Sequence, residues 1–474
     1  MKCAHRLAAL ALAAALAACA SPTGVEPKAA PADPASLGLA ASADTPWPWP
    51  APDWWRQYGD PRLDALVERA LAGNPTLRVA AARLARAQAG AEIEQAAAQP
   101  QVAGALDVTR QRYSRFGLPP PPLGGSLQTA STLALNGSWE LDFFGRHQAA
   151  LDAAIGQANA ARADLAAART LLAAQVTRAW MQWASLAAQR ELAMSVAQLR
   201  ERRAALVERR VRAGLDSAVE LRQAQADLPL ARQRVDAIDE RIALTRNALA
   251  ALSTQPAGAL PERAPAPPDL ARAALPSSLP LDLIGRRADI TAARWRVQAS
   301  VRDRDAAAAQ FHPNVNLVAF VGLSSLGLSR LLEAPSLIAG AGPAVRLPIF
   351  DAGRLRANLR VRTADLDAAV ESYNATLADA VRDVADQVDT LRALARQRTE
   401  LAALVETARQ SLELARARRR AGLAGALPEL AAEDAELAAS LAAQELAARV
   451  LDTDVNLMRA LGGGYDDAAP LAQR

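Results

Sequence analysis

Sulfur, imidazole and aromatic rings are scarce in this chain. Its 474 residues hold two cysteines, Cys3 and Cys19, three histidines, and only 4% aromatics. Cys3 lies in an apolar leader that export would remove, so the mature chain has no pair to oxidise. His5, His147 and His312 are widely spaced, and no His/Cys cluster has metal-site spacing. No GxxxxGK[ST] phosphate loop and no nucleophile–base pair is visible. The expectation is no enzyme, no cofactor and no metal. No run after the leader reaches 18 uninterrupted apolar residues, which excludes a transmembrane helix there. Any spanning must then be done by β-strands. Charge of one sign is lacking too. The chain has 54 basic and 50 acidic residues, and losing Lys2 and Arg6 leaves 52 against 50. That balance gives no support for nucleic acid as a partner.

What is present begins with the leader. Residues 1–18 read as a signal peptide, with Lys2 and Arg6 before the apolar run from Leu7 to Ala18. The run is too short for a permanent span. Leu16-Ala17-Ala18-Cys19 resembles a bacterial lipobox, in which cleavage precedes a cysteine that becomes the lipid-bearing N-terminus. Cys19 is the lipidation candidate; a plain signal with an incidental cysteine is the alternative. By the same resemblance, Ala20 after the cysteine directs the protein to the outer membrane. Residues 19–52 are rich in Pro, Ala and small polar residues and read as a lipid-anchored linker with no core of its own.

The body repeats itself. Gly145-Arg146 recurs as Gly353-Arg354, an offset of 208 residues (353 − 145 = 208). Arg212-Ala213-Gly214-Leu215 recurs at the same offset as Arg420-Ala421-Gly422-Leu423, and "LAAQR" at 186–190 faces "LARQR" at 394–398. Three anchors in one register indicate duplication. The resulting division is a first repeat over 53–253, an inter-repeat linker over 254–280, a second repeat over 281–462 and a tail over 463–474. Segments 146–213 and 354–421 lack proline and consist mostly of strong helix formers. Each predicts a helix of roughly 100 Å at 1.5 Å per residue. Gly214 and Gly422 stop them, and Arg209, Arg210, Arg212 and Arg418 to Arg420 suit the negative helix ends. Second helices follow at about 215–253 and 426–461. Leucines at 391, 394, 401 and 404 trace a coiled-coil-like seam.

Before each long helix the period changes to two. In 132–142, Leu133, Leu135, Trp139 and Leu141 oppose Thr132, Asn136, Ser138, Glu140 and Asp142. In 102–111, Leu106 and Val108 oppose Asp107 and Thr109. Residues 314–324 and 336–350 hold the matching places, the latter weakened by Gly and Pro. Four strands of about ten residues are long enough to cross a tilted bilayer, yet too few to close a barrel. Open edges are not tolerated in lipid, so spanning strands require several chains to share one barrel. A small soluble sheet beside a coiled coil is the alternative.

On these residues the chain resembles the TolC/OprM-type outer membrane efflux proteins, in particular the NodT-like lipoproteins. The resemblance covers nearly all of 53–462. It rests on "WWRQYGDPRLDALVERALAGNPTL" (54–77), "RAGLDSAVELRQAQADL" (212–228), "LPLDLIGRRADITAARWRVQAS" (279–300), "AAAAQFHPNVNL" (306–317) and "PIFDAGRLRA" (348–357). It implies a mainly α chain with a membrane β-barrel. Three chains share a twelve-strand barrel, continued by a periplasmic α-barrel of twelve coiled helices. It further implies a homotrimer acting as passive exit duct of a tripartite efflux system. The partners are a periplasmic adaptor, an inner-membrane pump, expected to be a proton-driven RND type, and outer-membrane lipid. A duct for type I protein secretion and a lipid-anchored scaffold without a pore are the alternatives.

The same resemblance makes Arg210, Arg212, Gly214, Arg420 and Gly422 candidates for adaptor docking at the hairpin tips; helix capping alone is the other reading of the arginines. The second tip departs from the family pattern. Ala431 stands where many relatives carry Asp, and "LPELAAEDAEL" (427–437) reads as one residue longer than the first tip. Glu429 and Glu433, four apart on one helix face, are the candidates for an acidic periplasmic gate. A solvated acidic face is the alternative.

Overall fold

The computed structural model describes residues 23–33, 36, 39–40, 49–117, 120–268, 279–280 and 283–466. The leader, Cys19 and residues 467–474 lie outside this range.

The described chain is mainly helical with one principal sheet. After a short turn of helix at Trp54–Tyr58 come α1 (Pro61–Gly73) and α2 (Pro75–Ala97). Strands β1 (Gln101–Arg112) and β2 (Leu127–Leu141) form a hairpin, and α3 (Arg146–Arg212) and α4 (Ala218–Leu252) follow. The second repeat runs α5 (Ala288–Ala309), β3 (Asn314–Leu326), β4 (Leu337–Arg346), α6 (Arg354–Arg420) and α7 (Ala426–Ala460). The duplication is metrically regular. Helices α3 and α6 have 67 residues each, and α4 and α7 have 35 each. Each member of a pair starts and ends 208 positions after its counterpart. The tip after α6 therefore carries no inserted residue, contrary to the expectation from "LPELAAEDAEL". The helix starts at Ala218 and Ala426 keep the 208-residue register through the tip.

Two compact units make up the chain. The first comprises 1–31, 83–162 and 292–374, the second 32–82, 163–291 and 375–474. In the first, the four strands are antiparallel in the order β1-β2-β3-β4. Direct pairing places residues on common faces. Leu106 opposes Leu133, which opposes Leu323, which opposes Leu337. Val102, Leu135, Val321, Trp139, Leu317 and Val345 share that face. Its side chains are open to the outside: Val102 is 73% exposed, Leu106 62%, Leu135 54% and Val345 63%. The opposite face carries Asp107, Thr132, Asn136, Ser138, Glu140, Asn316 and Ser324, with Thr132 and Ser324 hydroxyls 3.2 Å apart. The alternation seen in 102–111 and 132–142 is clean in β1 and β2; in β3 and β4, Val318, Phe320 and Ile338 stand on the same face as Asn136 and Ser138, so that face is mixed there. Gly322 is required where β3 meets β2, because a Cβ there would stand 2.3 Å from the Leu133 carbonyl oxygen.

Residues 23–31 do not behave as a mere linker. They lie packed in the first unit, with Val25 buried among Ala307, Phe311, Leu355 and Leu359. Composition misled here because the stabilising groups are far away in sequence, on α5 and α6.

In the second unit α3, α4 and α7 pack through small residues and Leu, with Trp180 and Trp183 fully buried edge to face. Arg246 covers the Trp183 ring, and the Tyr58 hydroxyl donates to Asp454 at 2.7 Å. Of the expected seam, Leu394 is buried and Leu404 is 53% exposed. Among the described residues no helix is long and apolar enough to cross a membrane, and no group of His, Cys, Asp and Glu is arranged to hold a metal.

Candidate functional site

The two hairpin tips are built alike on the backbone and differently in their side chains. Gly214 and Gly422 adopt φ of +70° and +71°, a left-handed conformation that glycine reaches without a Cβ clash. The Leu215 N–H donates to the Arg210 carbonyl and the Leu423 N–H to the Arg418 carbonyl, both at 2.9 Å. Gly214 and Gly422 N–H groups donate to Val211 and Arg419 carbonyls at 3.0 Å. This pattern satisfies the last carbonyls of α3 and α6.

At the first tip Arg210 grips Asp216 with two hydrogen bonds of 2.8 Å. The guanidinium holds the Asp216 carboxyl below the usual carboxylate range. Ser217 and Glu220 close a capping box on α4, with Ser217 N–H donating to Glu220 at 2.6 Å. The second tip keeps an arginine, Arg418, in place of Arg210 but none of its partners: Ala424, Gly425 and Pro428 stand in place of Asp216, Ser217 and Glu220. Its carboxylate comes from Glu429, in the first turn of α7, which accepts from Arg419 at 2.7 Å and lies 3.9 Å from Arg416.

Glu433 turns to the first repeat instead, accepting from Arg202 of α3. Beside it Arg200 lies 2.8 Å from Asp434. Leu199, Leu430 and Leu437 pack together below these pairs, with Leu192, Val196 and Leu206 around them. Glu429 and Glu433 are thus near each other on α7 yet engaged by different arginines of the same chain. Further pairs follow the helices, with Arg178 to Asp452 and Arg234 to Glu445 at 3.0 Å or less. Arg212 lies 3.7 Å from Glu208, and Arg420 is exposed. Exposed pairs such as these contribute about 0–1 kcal/mol each. Their value here is geometric: Arg178, Arg202 and Arg234 link α7 to the first hairpin, and Arg416 and Arg419 link α6 to α7 through Glu429.

Sequence reasoning named the glycines and arginines and overlooked the leucines after them. Leu215 is 66% exposed and Leu423 72%. Two large apolar side chains thus stand exposed at equivalent positions of the two glycine turns. The signal was present in the repeated "RAGL", where only the turn residues drew attention.

A two-faced four-strand sheet joined to duplicated 67- and 35-residue helices defines a class of channel-forming outer-membrane proteins. The sequence profile of that class, described as outer membrane efflux protein, matches residues 66–254 and 279–463. The chain belongs to this family. It is 34% identical over 429 residues to the multidrug resistance outer membrane protein MdtP of Escherichia coli K12, covering 89% of this chain and 88% of that one. It is 37% identical over 364 residues to the fusaric acid resistance protein FusA of Burkholderia cepacia, covering 74% of this chain and 68% of that one. The crystal structure of the outer membrane protein VceC from Vibrio cholerae superposes with a TM-score of 0.80 at 34% identity, over 88% of this chain and all of VceC.

Proposed function

We propose that this protein is the outer-membrane duct of a tripartite efflux system, through which drugs or other small toxic compounds leave the cell. The observation that carries the reading is the sheet. One face is apolar and exposed, the other carries most of the polar side chains beside Val318 and Phe320, and β1 and β4 are the outer strands. With 10 to 15 residues, each strand is long enough to cross a bilayer. Lipid does not satisfy the backbone groups of open edges, and four strands are too few to close. Three copies, with β1 of each pairing to β4 of the next, give twelve strands and no edge. The apolar face then meets lipid and the polar face lines the passage.

The rest of the reading follows from family membership. A periplasmic adaptor docks on the hairpin tips near Arg210, Arg212, Gly214, Arg420 and Gly422, and an inner-membrane pump of the proton-driven RND type supplies the energy. The duct itself catalyses nothing. Cys19 carries acyl chains that anchor each copy in the outer membrane, each buried CH₂ contributing about 0.8 kcal/mol. The names of MdtP and FusA point to small toxic molecules as cargo rather than to secreted proteins. Recording from planar bilayers tests the duct. Discrete single-channel steps are expected, and bilayers that contain the protein but never conduct, under any voltage, would identify a scaffold.

A further inference from the structure

Where the sheet gives way to the long helices, the first unit holds a cavity of about 500 Å³. Its walls come from the ends of β2 and β4, the start of β3 with the residues before it, and the starts of α3 and α6. Arg346 is paired with Asn314 where β4 ends and β3 begins, and Asn316, two residues on, is paired with Glu140. Side chains alternate along a strand, so Arg346 and Glu140 stand on the face that carries Asn136 and Ser138. The cavity therefore belongs to the face that lines the passage in the function proposed above.

The charges around it are unevenly matched. Glu140 is engaged twice, by Arg146 and by His147 Nε2, each at 3.2 Å. Asp142 accepts the Gln148 N–H at 2.8 Å, in the first turn of α3. Asp351 is turned to the N–H groups of Leu355 and Gly353, at 2.7 and 2.9 Å. Arg346 and Arg354 are left over: neither guanidinium makes a hydrogen bond or ion pair among the described residues. In the assembled barrel the end of β4 meets the start of β1 of the next copy, where residues 101–106 carry no acid. In the same cavity Phe144 and His312 are stacked, with ring centroids 4.6 Å apart and planes inclined by 11°. Phe144 is 46% exposed, so the pair keeps ring surface to be covered.

We propose that this cavity is a transit site for small planar organic anions, aromatic carboxylates above all. Arg346 and Arg354 supply the charge and the Phe144–His312 pair supplies the ring platform. The proposal rests on the duct described above and adds a substrate class to it. A guanidinium presents parallel N–H donors that match the two oxygens of a carboxylate. A ring joined to that carboxylate gains offset or edge contact with the aromatic pair, beyond the apolar area it buries. The volume is that of an ordinary small-molecule pocket. An inorganic anion satisfies the arginines and leaves the rings bare, and a neutral ring does the reverse. An aromatic carboxylate uses all four side chains. A site within a passage must also release what it holds, so the affinity is expected to be weak.

Salicylate is the probe, with acetate supplying the charge without the ring and benzyl alcohol the ring without the charge. Saturation-transfer NMR on the purified full-length protein in detergent reads weak binding directly. Salicylate should bind saturably, and acetate and benzyl alcohol at least about tenfold more weakly. Arg346→Gln combined with Arg354→Gln should weaken salicylate at least about tenfold, the scale of a lost hydrogen bond to a charged group. Both side chains are exposed, so the fold should be unaffected. Phe144→Leu should weaken salicylate and leave acetate unchanged, and it decides the matter if the double variant fails to fold. Equal salicylate affinity in the wild type and the variants would overturn the site. Acetate or benzyl alcohol bound as firmly as salicylate would overturn the substrate class. In planar bilayers salicylate should interrupt the single-channel current of the wild type and not that of the double variant. Binding with no effect on an open channel would overturn the role in transit. A protein that binds salicylate at these residues and never conducts would refute the duct and leave the site standing.

Discussion

Arg419 Nη1 stands 2.7 Å from Glu429 Oε2 across the turn that joins α6 to α7. The corresponding charge at the first tip is Asp216, reached by Arg210 from the preceding helix. Both hairpins are closed by an arginine–carboxylate pair, although the residues are not equivalent in the repeat. If these pairs hold a gate, replacing both Glu429 and Glu433 by Gln should raise the resting conductance in bilayer recordings and weaken cation preference. The effect should be severalfold at most, since each exposed pair contributes about 0–1 kcal/mol. Arg419→Gln separates two roles. A clamp predicts higher conductance, whereas an acidic ring predicts stronger cation preference, because the glutamate charge is uncovered. Unchanged conductance and ion preference in both variants would make this a solvated face.

Leu215→Asp combined with Leu423→Asp should abolish adaptor docking without altering helix content. The two leucines are exposed at equivalent turns, and a carboxylate there costs the tip its apolar contact. Co-purification of adaptor from cells, with drug susceptibility as the second readout, checks it. Normal recovery of adaptor would move docking away from the tips.

A pair of glycines tests the sheet. Gly322→Ala forces a methyl against the Leu133 carbonyl and Ala134, while Gly342→Ala finds nothing within 4 Å. The first should lower the temperature at which the oligomer dissociates on electrophoresis, by an overpacking cost of about 1–3 kcal/mol. The second should leave it unchanged. Equal behaviour of the two would mean that β2 and β3 are not paired in this register in the assembled protein.

Much of this architecture is legible from the residues. The proline-free stretches dictate the long helices, and the repeated glycines dictate their ends. The alternation around Leu133 and Trp139 predicts the two faces of the sheet. Strand β4 is harder, because Gly340, Gly342 and Pro343 weaken any strand signal; it forms because β3 supplies its partner. The packing of residues 23–31 is illegible in composition, since Pro and Ala announce a linker and the groups that fix it, Arg304, Asp367 and Asn374, sit about 280 to 340 residues away. The pairing of Glu433 with Arg202 is hidden for the same reason. Periodicity tells which face of a helix is polar, and only packing tells which charge lies opposite.

Cys19→Ser should abolish incorporation of labelled palmitate and leave the leader uncleaved. The lipobox-like Leu16-Ala17-Ala18-Cys19 motivates this expectation. Equal label in the variant and the wild type would rule out Cys19 as the acylated residue.

Acid should loosen the packing of residues 23–31 on α6. Hydrogen bonds from the Ala29 and Lys28 N–H groups hold the Asp367 carboxyl below its usual value of 3.8, with Lys28 the nearby cation. A carboxyl depressed in the folded state stabilises the docked form above its unfolded pKa and loses that contribution as pH falls through the folded value. Exchange of the Lys28 and Ala29 amides, followed by mass spectrometry, should therefore show protection that is constant from neutral pH to about 4 and declines below it. Asp367→Asn should remove that pH dependence.

The central claim is that the four strands of one chain complete a barrel only with those of its copies. Native mass spectrometry of the detergent-extracted protein tests it most directly. The account predicts three chains, with the strand signal in circular dichroism lost when the assembly is driven apart. A stable monomer that keeps its full strand signal would contradict it.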